Sequence, residues 1–310
     1  MMNTIDVELK QSETNDKNNP IKGKKLDSKM NVWSFFLITY LISWILWLPG
    51  ILRTFVLPDI SRGLVEGLAM LSTIVPSCVG LAFIFKENGK EGLVQVLKKS
   101  FDFKHYKWLL PSLLIYLALI VISHLINLIR KVPFPVGYIW QEWWMIIPLY
   151  ILMLIIGGSI GEEFGWRGYA VPELQKQFNA YTCALIVGFL WAFWHIPTFF
   201  IDGANQRDEG LPFIPYVITL VCFTIIMVWQ INISKSSLVP AFTLHTLINI
   251  TNEFFPILNT DTGDYSAWII IDVLLILCCI LIPLFYRVDN FQKRKKSQSD
   301  DPLSVSKELQ

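Results

Sequence analysis

The stretch Trp143-Trp-Met-Ile-Ile-Pro-Leu-Tyr-Ile-Leu-Met-Leu-Ile-Ile-Gly-Gly-Ser-Ile160 carries no charge and leads straight into Gly161-Glu162-Glu163-Phe164-Gly165-Trp166-Arg167. An apolar run of this length is what a bilayer-crossing helix needs. Two adjacent carboxylates joined to it are expensive in hydrocarbon unless they face a protein interior or water, so they mark a place to look for chemistry. Phe164, Trp166, Tyr169 and Val171 are apolar or aromatic and predict one helix continuing past the glutamates to Pro172. On that reading the carboxylates lie inside the membrane. A helix ending at Ile160 would make the whole cluster an interfacial cap.

The rest of the chain fits the same picture. Of 310 residues, 53% are hydrophobic and only 16% charged, with a mean hydropathy of +0.47. A soluble domain of this length carries more charge. Spans are predicted over 32–50, 64–85, 107–129, 143–170, 181–200, 213–233, 238–256 and 266–286. The expected fold is an all-α polytopic membrane protein of about eight transmembrane helices, with one membrane domain over 31–287. Polar tails, 1–30 and 288–310, read as disordered. The first has no apolar core and so does not read as a signal peptide. Cys78, Cys183, Cys222, Cys278 and Cys279 all lie in apolar segments without metal-type spacing and read as small core residues. No glycine-rich phosphate loop or basic–aromatic patch is present, so no nucleic-acid partner is expected.

Loop charge sets the orientation. The N-terminal tail (Lys10 to Lys29), the 86–107 connection (Lys86 to Lys107) and the C-terminal end (Arg287 to Lys307) are rich in lysine and arginine. The other side holds only Arg53, Arg62, Arg130, Lys131 and Arg207, and its 257–265 loop has Asp261 and Asp264 with no basic residue. Both termini are therefore expected in the cytoplasm, which requires an even number of spans. The composition, rich in Ile, Lys and Asn, suggests a bacterial plasma membrane. Residues 91–101 mix apolar and lysine positions, as in a short amphipathic helix on the cytoplasmic membrane surface, or equally in a solvated loop.

Few polar groups fall inside the spans. Glu163 and Arg167 are four apart and share a helix face, so they can pair. His195 ends an aromatic run with Trp191 one turn before it, and His245 and Asn249 are again four apart. Taken singly, His195 reads as a satisfied core histidine, and His245 with Asn249 as interhelical glue. Depth changes that. At ~1.5 Å per residue, Glu162 lies ~15 Å from the cytoplasmic end of its helix, His195 ~21 Å, and His245 and Asn249 ~10 and ~16 Å. All four could meet at one depth, in a polar site facing the cytoplasm. A buried carboxylate and imidazole can activate water. A second histidine with an amide can supply donors to an oxyanion. Equally, Glu162, His195 and His245 match the ligand count of a catalytic zinc, and the spacing does not choose between the two.

Together, Glu162-Glu163…Arg167, Trp191…His195 and His245…Asn249 resemble the pattern of the CPBP family, the CAAX proteases and bacteriocin-processing Abi proteins, over about 143–255. That pattern has Phe where this chain has Trp191, which keeps an aromatic wall. The resemblance implies an eight-helix intramembrane endopeptidase cutting a membrane-associated peptide or protein. It implies that Glu162 and His195 activate water, that His245 and Asn249 stabilise the oxyanion, and that Glu163 and Arg167 position the site. No obligatory metal is expected, with zinc as the alternative. A non-catalytic immunity or scaffold protein of the same family is the competing reading. A small transporter would need paired broken helices or an internal repeat.

Overall fold

Leucine and isoleucine cover the outside of this bundle as well as its inside. Leu37, Leu41, Ile45 and Leu48 are exposed on one helix, and Ile147, Ile151 and Ile155 on another. Such surfaces suit a lipid environment, where no hydrophobic force drives side chains inward. The structure, a computed structural model, describes residues 31–131, 141–250 and 264–291. The tail expected over 1–30 lies outside the described residues, as do Asp261 and the tail expected over 288–310 except for 288–291, which pack on the bundle with Phe291 buried.

The described elements are all helical. The main ones are α1 (Val32–Phe55), α2 (Arg62–Ser100), α3 (Leu109–Ile129), α4 (Ile146–Ile156), α5 (Ser159–Gly165), α6 (Ala180–Trp194), α7 (Phe213–Ile233), α8 (Val239–Asn249) and α9 (Ser266–Phe285). A π-helical turn, Trp166–Ala170, and a last α turn, Val171–Leu174, continue α5. Among the described residues, six helices are long and apolar enough to cross a membrane, or seven if α4 and α5 with its continuation form one bent span. The predicted span 238–256 is described only as α8, and its remainder lies outside the described residues. α2 breaks at Gly89, where φ is +64°, and resumes as a helix with Lys98 and Lys99 exposed. This places a separate helical segment where an amphipathic one was expected.

The continuous fourth helix predicted over 143–170 is corrected. It is two helices bent by 42° at Gly157-Gly158. Gly157 closes α4 through its N–H to the Met153 carbonyl, and Gly158 takes a left-handed φ of +95°. Glycine adopts this conformation without strain, and it is a common way to end a helix. The glutamates therefore belong to a new helix that starts at Ser159. Glu162 falls in its first turn, where the helix dipole favours a carboxylate.

Gly161 and Gly165 let α5 touch α2 backbone to backbone. A Cβ at Gly161 would lie 2.6 Å from the Thr73 carbonyl oxygen, and one at Gly165 2.2 Å from that of Pro76. Ser77 Oγ then donates to the Ile160 carbonyl at 2.8 Å. Small residues four apart are a common device for close helix approach in membranes. α7 is buried along nearly its whole length and packs between α6 and α9.

The bundle has two distinct ends. At one, Leu238 N–H donates to the Ser100 carbonyl at 3.0 Å and Ala180 N–H to that of Asp289 at 3.0 Å. At the other, Asp202 N–H donates to Thr54 Oγ1 at 2.9 Å and Tyr265 OH to the Gly210 carbonyl at 2.9 Å.

Candidate active site

Glu162, Glu163 and Arg167 are 3%, 0% and 0% exposed, so the cluster is no interfacial cap. The two carboxylates point to different partners, as expected for adjacent residues on one helix turn. Glu162 Oε2 accepts from the indole N–H of Trp191 at 2.6 Å and of Trp166 at 3.3 Å. Its other oxygen lies against Gly158, where a Cβ would be 2.5 Å from Oε1. The helix break thus makes room for the carboxylate as well as redirecting the chain.

Glu163 Oε1 accepts from Arg167 Nη1 at 2.9 Å and lies 2.8 Å from His245 Nδ1. The expected Glu163–Arg167 pair is present, and His245 joins it from α8. Arg167 Nη2 donates to Thr224 Oγ1 on α7 at 2.7 Å, and its Cζ sits 4.2 Å from the centre of the Trp191 ring. A guanidinium over an indole face is favourable, more so when dehydrated. Arg167 therefore ties α5, α6 and α7 together. Trp191 serves both sides, giving its N–H to Glu162 and its face to Arg167.

His195 caps the end of α6 and is half-buried. Its Nδ1 lies 2.9 Å from the Trp191 carbonyl oxygen. A carbonyl only accepts, so Nδ1 carries the proton, and the neutral ring presents the Nε2 lone pair elsewhere. Its ring packs edge-on against Tyr216 at 5.6 Å. Asn249 is exposed and donates one amide hydrogen to the Gly157 carbonyl at 2.6 Å, leaving the other. That bond satisfies a carbonyl at the helix break. Thr246 donates to Ser159 Oγ at 2.9 Å and further fastens α8 to the start of α5.

Glu162, Trp191, His195, His245 and Asn249 line one cavity of about 510 Å³. Leu119, Ile120, Met153 and Ile156 supply an apolar wall, and Asn205 and Gln206 a polar roof. Glu163 and Arg167 stand behind it. Among the described residues, no three His, Cys, Asp or Glu side chains are gathered to hold a metal ion. The zinc set Glu162, His195 and His245 is not assembled here, with Glu162 held by indoles and His245 turned to Glu163.

Three contributors escaped the sequence reading. Trp166 sits four residues after Glu162, so its hydrogen bond was within reach of the same spacing argument. Thr224 is one hydroxyl in an apolar run and gives no local signal. The Gly157 carbonyl becomes available only because the helix breaks.

A family model described as type II CAAX prenyl endopeptidase Rce1-like matches residues 142–251, from just before α4 to just after Asn249. The match contains every polar site residue named above. CAAX prenyl protease 2 of Methanococcus maripaludis is 25% identical over 243 residues, covering 74% of this chain and 86% of that protein. These two matches support a protease of the CPBP family. With this set of apolar helices they support a multi-pass membrane protein that acts as an intramembrane protease. The family's three motifs fall on α5, α6 and α8, and α7 joins them through Thr224.

The cavity also sets two expectations against each other. Most of its lining comes from the half of the bundle that holds Thr54, Gly210 and Tyr265, with Gly203 to Leu211 contributing directly. The segments at 86–107, 234–238 and 286–291 contribute nothing to it. Cytoplasmic termini and a site facing the cytoplasm cannot both hold in this fold.

Proposed function

We propose that this CPBP protein is an endopeptidase in which Glu162 and His195 activate a water molecule against a peptide carbonyl in the cavity. Supporting this is one observation above all. A buried carboxylate held by two indoles and an imidazole presenting an Nε2 lone pair line the same cavity. As the water oxygen bonds to the carbonyl carbon, its proton passes to the Glu162–His195 pair. The same proton then goes to the amide nitrogen as the C–N bond breaks.

The developing oxyanion would accept from the free amide hydrogen of Asn249 and from His245 Nε2. With Nδ1 donating to Glu163, His245 donates from Nε2 as well only as the imidazolium, which the Glu163 carboxylate would stabilise. Two carboxylates, one guanidinium and one imidazolium then bring the buried cluster to neutrality, which a low-dielectric site favours. Glu163 and Arg167 act as positioning residues. The chemistry is assigned to these side chains, with no step through a metal.

The test is cleavage of a membrane-anchored candidate substrate by Glu162→Gln and His195→Ala, each checked for a folded yield equal to the parent chain. Loss of cleavage by about a hundredfold or more is expected from each, the scale of a lost general base. Full activity in both variants overturns the proposal.

A further inference from the structure

We propose that the active cavity of this protein opens to the extracytoplasmic side, so that its substrate is a peptide segment presented from outside the cell. The inference joins the charge along the chain to the position of the cavity. The end of the bundle fastened by Leu238 to Ser100 and by Ala180 to Asp289 carries Lys86, Lys90, Lys98, Lys99, Lys104, Lys107, Lys176, Lys235 and Arg287. The sequence before α1 and after Phe291 adds Lys22, Lys24, Lys25, Lys29, Lys293, Arg294, Lys295 and Lys296. The opposite end carries Arg53, Arg62, Arg130, Lys131 and Arg207. Lysine and arginine near span ends face the cytoplasm, and the asymmetry here is large.

The cavity lies toward the poorly basic end on α1, α2, α6, α7, α8 and α9, while α3 lines it from near its middle and α4 from its inner end. α1 contributes Trp47 and α2 contributes Thr73, each nearer the Thr54–Arg62 end of its helix. α6 contributes Trp191 and His195 from its last turn, and α7 contributes Tyr216 and Leu220 from its first two turns. α9 contributes Trp268, three residues into the helix. The roof is the connection from α6 to α7, where Asn205 is exposed. A route from the lysine-rich end would have to pass α5 and α8, where Glu163, Arg167, Leu244 and Thr246 are buried.

This rests on the reading of the cavity as the place of hydrolysis, and it narrows the substrate class. The scissile bond belongs to an exported or membrane-anchored polypeptide, in the outer half of the bilayer. Its side chains would meet the apolar wall of α3 and α4, and its backbone the polar roof. A lipid-modified C-terminus held on the cytoplasmic face would not reach the site.

Cysteine labelling in intact bacterial cells tests the sidedness without relying on cleavage. The full-length chain carries Asn205→Cys or Asp59→Cys at the cavity end, or Lys98→Cys at the other. The probe is a membrane-impermeant maleimide, with the parent chain as the background. Asn205→Cys and Asp59→Cys should label in intact cells, and Lys98→Cys only after permeabilisation. Protection of both Asn205→Cys and Asp59→Cys in intact cells overturns the inference. So does labelling of Lys98→Cys from outside, which would mean the reverse or a mixed orientation. A protease reading that fails leaves these patterns unchanged, because Glu162→Gln reports on it separately.

Discussion

Arg167 and His245, on different helices, meet at the same oxygen of Glu163. Arg167 Nη1 is 2.9 Å from Oε1 and His245 Nδ1 is 2.8 Å from it. One carboxylate thereby neutralises a fully buried guanidinium and orients an imidazole at the cavity wall. Its removal strikes stability and chemistry together.

Glu163→Ala should reduce folding stability by about 3–5 kcal/mol, the cost of leaving a buried charge without its partner. Folded yield in detergent and the thermal unfolding midpoint measure this. The double variant Glu163→Gln with Arg167→Met should recover much of the yield while remaining slow, because no charge is stranded but His245 has lost its carboxylate. A double variant no more stable than Glu163→Ala would argue against the buried pair.

Thr224→Val removes the acceptor for Arg167 Nη2 and changes little else in shape. An unmet buried donor costs about 1–3 kcal/mol, more where it is charged. The thermal midpoint should fall for Thr224→Val and return with Thr224→Ser. Equal midpoints for the two variants would show that the hydroxyl contributes nothing.

Trp191→Phe keeps a ring beneath Arg167 but deletes the N–H that reaches Glu162. A hydrogen bond to a charged group contributes about 1.5–3 kcal/mol. Turnover should fall about ten- to hundredfold, with KM and folded yield near those of the parent chain. A fall in yield with unchanged turnover per folded molecule would make the indole structural only.

Gly158→Ala adds a methyl where Glu162 Oε1 lies and forces alanine into a left-handed backbone. The backbone strain alone is about 1–2 kcal/mol. Activity should fall further than that strain explains, since Glu162 must move. Cleavage per folded molecule separates the two effects, and a loss confined to stability would detach Glu162 from the helix break.

What was readable in the sequence follows from range. Glu163 with Arg167 was legible because four residues on one helix share a face, and Trp191 with His195 for the same reason. Hydropathy marked the helices reliably where they are long. It failed at Gly157-Gly158, because an apolar window averages over a two-glycine break that is set by backbone conformation. Thr224 stayed hidden because it meets Arg167 across 57 positions of chain. The lysines divided the chain into two sides, yet counting residues inward from one side could not tell which way a cavity opens. The same count put His195 far from the lysine-rich side, at the end of α6, and the helix ends there in the structure.

The backbone contact between α5 and α2 bears on how a substrate gets in. With Gly161 and Gly165 seated against the carbonyls of Thr73 and Pro76, the helix carrying Glu162 has no slack to slide or roll. Any gating motion must belong to other parts of the wall. α4 has Leu149 as its one buried residue and is joined to α5 through glycines. With most of its side chains turned outward, α4 is held less tightly than the helix that carries the carboxylate.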